Sequence, residues 1–172
     1  MMKCYIKRIW VCTLCSLLLT ACTISYKFNG ASIDYSLVST MSISDFPNQS
    51  PLVSPTLGPN FTEALKDIYT RQTRLEMVQA NGDLELEGEI TGYDLTPMAV
   101  KEDLYSSETK LTITVRVRYF NRTKPDEDFE QSFSAYTTFD SNTMLSTIQD
   151  QLNETITEEL VEQIYNATVA NW

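Results

Sequence analysis

Residues 111–119 read Leu-Thr-Ile-Thr-Val-Arg-Val-Arg-Tyr, an unbroken alternation of apolar and polar side chains. Successive side chains of a β-strand point to opposite faces of the sheet, so this pattern predicts a half-buried strand. The stretch that follows the turn signal Asn81-Gly82-Asp83 alternates in the same way. It has apolar residues or glycine at 84, 86, 88 and 90, and acidic residues at 83, 85, 87 and 89. We therefore predict a second strand, with one acidic face, that ends near Pro97.

Two further strands and two helices are predicted around this pair. Residues 37–44 place Leu37, Met41 and Ile43 on one side of a first strand, and residues 129–139 form a last strand after a turn at 121–128. Prolines indicate a loop over 45–59, after which Asn60 and Glu63 have capping-box spacing and begin a helix over 61–75. Ser141 is predicted to cap a last helix. The apolar stripe of that helix consists of Leu145, Ile148, Leu152, Ile156, Leu160 and Ile164.

The predicted fold is α+β, with two helices packed on one face of a four-stranded mixed sheet in the order β-α-β-β-β-α. The last three strands should form an antiparallel meander, and the first strand should be parallel to the second if the two are neighbours. Matching the apolar faces predicts that Glu87 pairs with Arg118, Glu89 with Arg116, and Glu130 with Arg118 from the other side. The acidic and basic strands then neutralise each other, which argues against Arg116 and Arg118 as an anion-binding patch.

The N-terminus has the pattern of a lipoprotein signal peptide. Basic residues Lys3, Lys7 and Arg8 precede an apolar run from Ile9 to Leu19, and Leu19-Thr20-Ala21-Cys22 resembles the bacterial lipobox. We expect residues 1–21 to be removed and Cys22 to carry a diacylglycerol and an N-acyl chain, because several acyl chains anchor a protein durably. Residues 22–36 would be a lipidated lead and residues 37–172 a single domain. The alternative is an ordinary signal peptide that a cysteine happens to follow.

Composition restricts the chemistry of the mature chain. The 172 residues include 13 basic and 23 acidic ones, and loss of the three basic signal residues changes the net charge from −10 to −13, which argues against nucleic acid as a partner. There is no histidine, and Cys4, Cys12 and Cys15 lie in the signal segment. The usual general base and the usual soft metal ligands are therefore missing, and we expect no enzyme, no metal and no other cofactor.

Two weaker chemical readings use acidic residues. Glu85, Glu87 and Glu89 could act as paired carboxylates of a hydrolase, but an ion-paired strand face explains them better than a cleft. The Asp126-Glu127-Asp128 turn could hold a cation, but it is short and lacks glycine, so a simple acidic turn is the better account.

Several segments together resemble the LptE family of lipopolysaccharide-assembly lipoproteins. They are the lipobox, residues 28–33, the strands at 83–90 and 111–117, and the closing segments 164–166 and 169–172. The resemblance implies two helices against a four-stranded sheet, and a non-enzymatic lipoprotein on the periplasmic side of the outer membrane of a Gram-negative cell. It implies a plug inside the β-barrel LptD, which assists barrel assembly and lipopolysaccharide transport to the cell surface.

Other functions and sites remain open at this stage. The chain could be a generic lipid-anchored binding module, periplasmic or on the cell surface, without a barrel partner. Lys101 and Lys110 are candidate lipopolysaccharide contacts, because phosphate or carboxylate groups need cations that are not already paired. Trp172 either packs back onto the helices or anchors a partner.

Overall fold

The computed structural model describes residues 33–52, 54–98 and 107–169. The predicted signal peptide, Cys22, Lys101 and Trp172 lie outside the described residues. The strands are β1 (Thr40–Ile43), β2 (Glu76–Val78), β3 (Leu84–Pro97), β4 (Glu108–Asn121) and β5 (Phe129–Asp140). The helices are α1 (Leu57–Gln72) and α2 (Leu145–Thr168), and a 3-10 turn covers Pro125–Glu127.

The prediction of an α+β fold with two helices and a mixed sheet is confirmed, but the strand number is wrong. The described residues form a five-stranded sheet in the order β2-β1-β3-β4-β5, so the element sequence is β-α-β-β-β-β-α. The additional strand, β2, pairs in parallel with β1 through Thr40–Glu76, Met41–Met77 and Ser42–Val78. Three residues are too few to show a period, which is why the sequence pattern missed it.

The predicted strand pairings are confirmed. β1 and β3 are parallel neighbours, and β3, β4 and β5 form the antiparallel meander. Glu87 lies opposite Arg118, and Glu89 lies opposite Arg116. On the other side of β4, Arg118 lies opposite Glu130 and Tyr119 opposite Phe129. Apolar faces that must all point inward leave these strands little freedom of register.

A β-bulge at Thr91 changes the alternation of β3. The register shifts between Ile90 and Gly92, so the inward positions are even-numbered up to Ile90 and odd-numbered from Tyr93. Tyr93 is thereby buried against α2, where its hydroxyl donates to Asn153 Oδ1 at 3.1 Å and accepts from Gln149 Nε2 at 3.1 Å. By turning Tyr93 inward, the bulge allows hydrogen bonds between β3 and the last helix, α2.

Both predicted helix caps are wrong. α1 begins at Leu57 with Thr56 at the N-cap, so Pro59 and Asn60 lie within its first turn. Proline is tolerated there because the first N–H groups of a helix have no intrahelical acceptor. α2 begins at Leu145 after Met144, and the N–H of Ser141 instead donates to Ser107 O and extends the β-ladder. Neither N-cap side chain makes a capping hydrogen bond.

One continuous core lies between the helices and the inner face of the sheet. Ile156, Leu160 and Ile164 of the predicted stripe are fully buried, whereas the stripe residues nearer the start of α2 are partly exposed. Phe46 packs on Phe61 with ring centroids 5.3 Å apart and fills the space above Gly88. A Cβ atom at position 88 would lie 2.4 Å from the Phe46 ring and 2.3 Å from Arg116 O, so this inward position requires glycine.

Candidate functional surface

The outer face of the sheet, on the side away from the helices, carries an ordered row of ion pairs. Glu85, Glu87 and Glu89 all point outward because residues two apart on a strand share a face. The bridges join Glu85 to Arg122 at 2.9 Å, Glu87 to Arg118 at 3.1 Å and Glu89 to Arg116 at 3.4 Å. We call these six residues the charge ladder.

The charge ladder pairs six charges on this face but adds little to the stability of the fold. The arginine side chains are 50–51% exposed, and exposed pairs of this kind contribute at most about 1 kcal/mol each. Each of the three glutamates is occupied by an arginine, so the structure gives no support to the paired-carboxylate hydrolase. The same pairing supports the interpretation of Arg116 and Arg118 as structural.

The bridge between Glu85 and Arg122 was not predicted. Strand register places Glu85 opposite Phe120, and Arg122 reaches it from beyond the end of β4. The N–H of Arg122 donates to Asp83 O at 2.9 Å, which holds the arginine beside β3, and Nη2 also contacts Asn81 Oδ1 at 3.3 Å. A pairing rule applied within strands cannot find a residue positioned by the turn that follows.

Hydroxyl groups also lie on the outer face. Thr114 and Ser134 are joined through their hydroxyls at 2.6 Å across β4 and β5. Nearer Pro97, Lys110 Nζ lies 5.3 Å from the centre of the Tyr136 ring, and Tyr136 is 60% exposed. The predicted contact residue Lys110 is therefore partly buried and held by a cation–π interaction. Its predicted companion Lys101 is outside the described residues.

The acidic turn at 126–128 uses its carboxylates to close the β4–β5 connection. Asp128 Oδ1 accepts from the Asn121 N–H at 2.6 Å, and Glu127 Oε2 accepts from Asn121 Nδ2 at 2.7 Å. Lys124 Nζ lies 3.3 Å from Glu127 Oε1. Within residues 33–52, 54–98 and 107–169, no three acidic, histidine or cysteine side chains converge to hold a metal ion. These contacts favour the reading of a simple acidic turn.

A groove of 460 Å³ beside α1 was not anticipated from the sequence. Pro47, Pro55 and Pro59 line it together with Asn48 and Glu63. Asn48 Oδ1 accepts from the Ser50 N–H and hydroxyl, whereas its Nδ2 is the one buried side-chain polar atom without a partner among the described residues. The segment 45–59, for which the prolines indicated only a loop, thus forms one wall of a concave surface.

The two ends of the sheet differ in what they carry. At the end that we call the base, Ile33 lies near Asn121, Lys124 and Thr168 around a small pocket. At the opposite end, which we call the hairpin end, β3 and β4 continue to Pro97 and Glu108. Ile33, the first described residue, therefore lies at the base, and Lys110 lies toward the hairpin end. No helix in the described part of the chain is long and apolar enough to cross a bilayer.

These features define an α+β domain whose described surface offers a polar sheet face with a row of ion pairs, and a groove beside α1. The chain belongs to the LptE family, described as lipopolysaccharide-assembly, whose family model matches residues 38–168. The resemblance inferred from the sequence is thus confirmed. The match covers β1 to α2, the whole layered domain.

Solved structures share the fold at low sequence identity. A rare lipoprotein B from Shewanella oneidensis superposes with a TM-score of 0.50 at 10% identity, covering 75% of this chain and 90% of that one. The hypothetical protein CT253 from Chlamydia trachomatis superposes with a TM-score of 0.52 at 10% identity, covering 78% of this chain and 99% of that one. None of the curated proteins compared with the chain is significantly similar. At such identity the likeness establishes the fold alone.

Proposed function

We propose that the chain is an outer-membrane lipoprotein, anchored through fatty acids on Cys22, that lies inside an LptD-type β-barrel on the periplasmic side. There it helps the barrel to assemble and assists lipopolysaccharide transport. The family match over residues 38–168 is the observation that supports this proposal most. A role in binding and positioning, without bond-making chemistry, agrees with the absence of histidine from the sequence.

The outer face of the sheet supports a position inside a barrel. The lumen of a transmembrane barrel is polar, so a domain that fills it needs polar outer surfaces over an ordinary apolar core. The charge ladder and the Thr114–Ser134 pair give the sheet such a polar face, on which the six charges of the ladder cancel. Within the charge ladder each charge already has a partner, so that part of the face can lie against a polar wall without leaving a buried, unpaired charge.

The two ends of the domain support a direction for this arrangement. Ile33, which belongs to the predicted lipidated lead, lies at the base near Thr168. β3 contains 14 residues, and at about 3.3 Å per residue it extends roughly 45 Å from the base. The hairpin end, with Lys110, would therefore be the part of the domain farthest from the membrane anchor.

Purification from detergent-solubilised outer membranes tests the proposal. We expect the natural chain to begin at an acylated Cys22 by intact-mass measurement, and to elute in equal amounts with one large β-barrel. A Cys22→Ala variant is the control, and it should carry no fatty acid. Acylated chain that elutes without a barrel would instead support the lipid-anchored binding module, and a chain without fatty acid would contradict both.

Lys101 and Lys110 are proposed as lipopolysaccharide contacts. Reversing both charges, Lys101→Glu with Lys110→Glu, should lower lipopolysaccharide recovery in a pull-down about tenfold, because two favourable charge contacts become repulsive. Lys124→Glu is the matched control, since Lys124 is a cation at the base that is already paired with Glu127. Equal recovery by the double variant and by the control would remove the assignment.

A further inference from the structure

The two edges of the sheet are unequal. One edge is β2, which has three residues, and the other is β5, which has 12. Among the described residues, β4 alone pairs with β5. A long unpaired edge presents a row of N–H and C=O groups to which another strand can add.

The hydrogen bonds at the hairpin end identify which groups face the open edge. The Met98 N–H donates to Glu108 O, and the Ser141 N–H donates to Ser107 O. Residues of an antiparallel strand bond alternately to one neighbour and to the other. Because the odd-numbered Ser141 bonds toward β4, the odd-numbered residues of β5 also bond to β4. The backbone groups of Ser132, Ser134, Tyr136 and Thr138 therefore point away from the sheet.

The middle of β5 lacks the residues that normally protect such an edge. Residues 131–139, Gln-Ser-Phe-Ser-Ala-Tyr-Thr-Thr-Phe, include no proline and no charge. Edge strands of monomeric proteins are usually interrupted by lysine, proline or a bulge, and the register of β4 with β5 is continuous from Glu108–Asp140 to Tyr119–Phe129. The side chains of Ser132, Ser134, Tyr136 and Thr138 are exposed.

Charge at one end of β5 indicates the chemistry of the missing neighbour. The row Glu87–Arg118–Glu130 crosses three strands with alternating sign, and among the ion pairs of the described residues none involves Glu130. Opposite charges stabilise directly facing positions on adjacent strands, so the next position in this row favours a cation. A second copy of this chain fits poorly. Symmetric antiparallel pairing of residues 130–140, with outward side chains on the same face, would place Glu130 opposite Asp140 of the copy, and two acidic residues would then face each other.

We propose that β5 is extended by a strand of the barrel partner that carries lysine or arginine beside Glu130. This inference rests on the proposed function and assigns the contact within it. Main-chain hydrogen bonds to the outward groups of β5 supply the affinity, and the cation opposite Glu130 sets the register.

Ser134→Pro and Ser134→Ala form a matched pair that tests the inference. Both remove the hydroxyl that contacts Thr114, but only proline also removes the outward N–H at the middle of the edge. In the detergent-solubilised complex, we expect Ser134→Ala to retain wild-type recovery of the barrel. Ser134→Pro should lower recovery about tenfold, the effect of losing one hydrogen bond and straining its neighbours. Glu130→Lys should lower recovery more than Glu130→Gln.

Hydrogen exchange of the wild-type complex provides a measurement that does not depend on any variant folding correctly. The outward amides of β5 should exchange at least about tenfold more slowly in the complex than in the free lipoprotein. Unchanged exchange, or equal recovery by the alanine and proline variants, would overturn the inference and leave the proposed function standing. Absence of any barrel complex would overturn both. Protection of β5 in a dimer of this chain alone would replace the barrel strand with a second copy.

Discussion

At the scale of single residues, Asp83 is the most strongly held carboxylate for which the structure gives contacts. Its Oδ2 accepts from the N–H groups of Ser39 and Thr40 at 2.8 and 3.0 Å and from the Thr40 hydroxyl at 2.9 Å. These hydrogen bonds lower the pKa of Asp83 to about 2, because they favour the charged form. The side chain connects the start of β3 to the chain that leads into β1.

We predict that Asp83→Asn destabilises the domain by about 1–2 kcal/mol at pH 7, a value reduced from the full pKa shift because the residue is partly exposed. A lowered folded-state pKa stabilises the fold above the unfolded pKa near 4, and this contribution is lost as the pH falls toward 2. Urea denaturation of the wild type and of Asp83→Asn at pH 7, 4 and 3 should show that the difference in their free energies of unfolding becomes smaller as the pH falls.

The control for Asp83 is Asp67→Asn, because Asp67 is an exposed residue of α1. It should change the free energy of unfolding by less than about 0.5 kcal/mol at every pH. A constant difference between wild type and Asp83→Asn from pH 7 to pH 3 would contradict the assignment of the stabilisation to the charged carboxylate.

At the scale of elements, the sequence predicted the strands that have a repeating apolar pattern. It did not predict the features that have no such pattern. The alternation at 111–119 and 84–90 fixed two strands and their register, because a slip of one residue would turn every apolar side chain outward. The bulge at Thr91, the strand β2 and the start of α1 before Pro59 have no periodic signal. The bulge places Tyr93 against the distant residue Asn153, and β2 forms where Glu76 bonds to Ser39.

At the scale of the whole molecule, a single core joins every layer. α1 and α2 meet through the hydrogen bond between the hydroxyls of Tyr69 and Thr168, and burial raises the pKa of Tyr69. Tyr69 also packs against Tyr165 of α2, with ring centroids 5.3 Å apart. Because Leu160 is fully buried in the same core as the inner strand residues, loosening one helix should weaken the entire domain.

We predict that Leu160→Ala lowers the free energy of unfolding by about 2–5 kcal/mol without creating an intermediate. Helix unfolding followed by far-ultraviolet circular dichroism should coincide with loss of the tyrosine signal in the near ultraviolet. Glu158→Ala, an exposed change on the same helix, should cost less than about 0.5 kcal/mol. Two separate transitions in Leu160→Ala would show that the domain is not one cooperative unit.

The sequence alone determined the class of fold, the meander and its register, two of the three ion pairs of the charge ladder, and the family. These follow from periodic patterns and local motifs, which a chain carries whether or not it is folded. Only the tertiary structure decided the fifth strand, the bulge that turns Tyr93 toward α2, the groove beside α1 and the open edge of β5. Those features arise where segments far apart in sequence meet, and no local pattern specifies such a meeting.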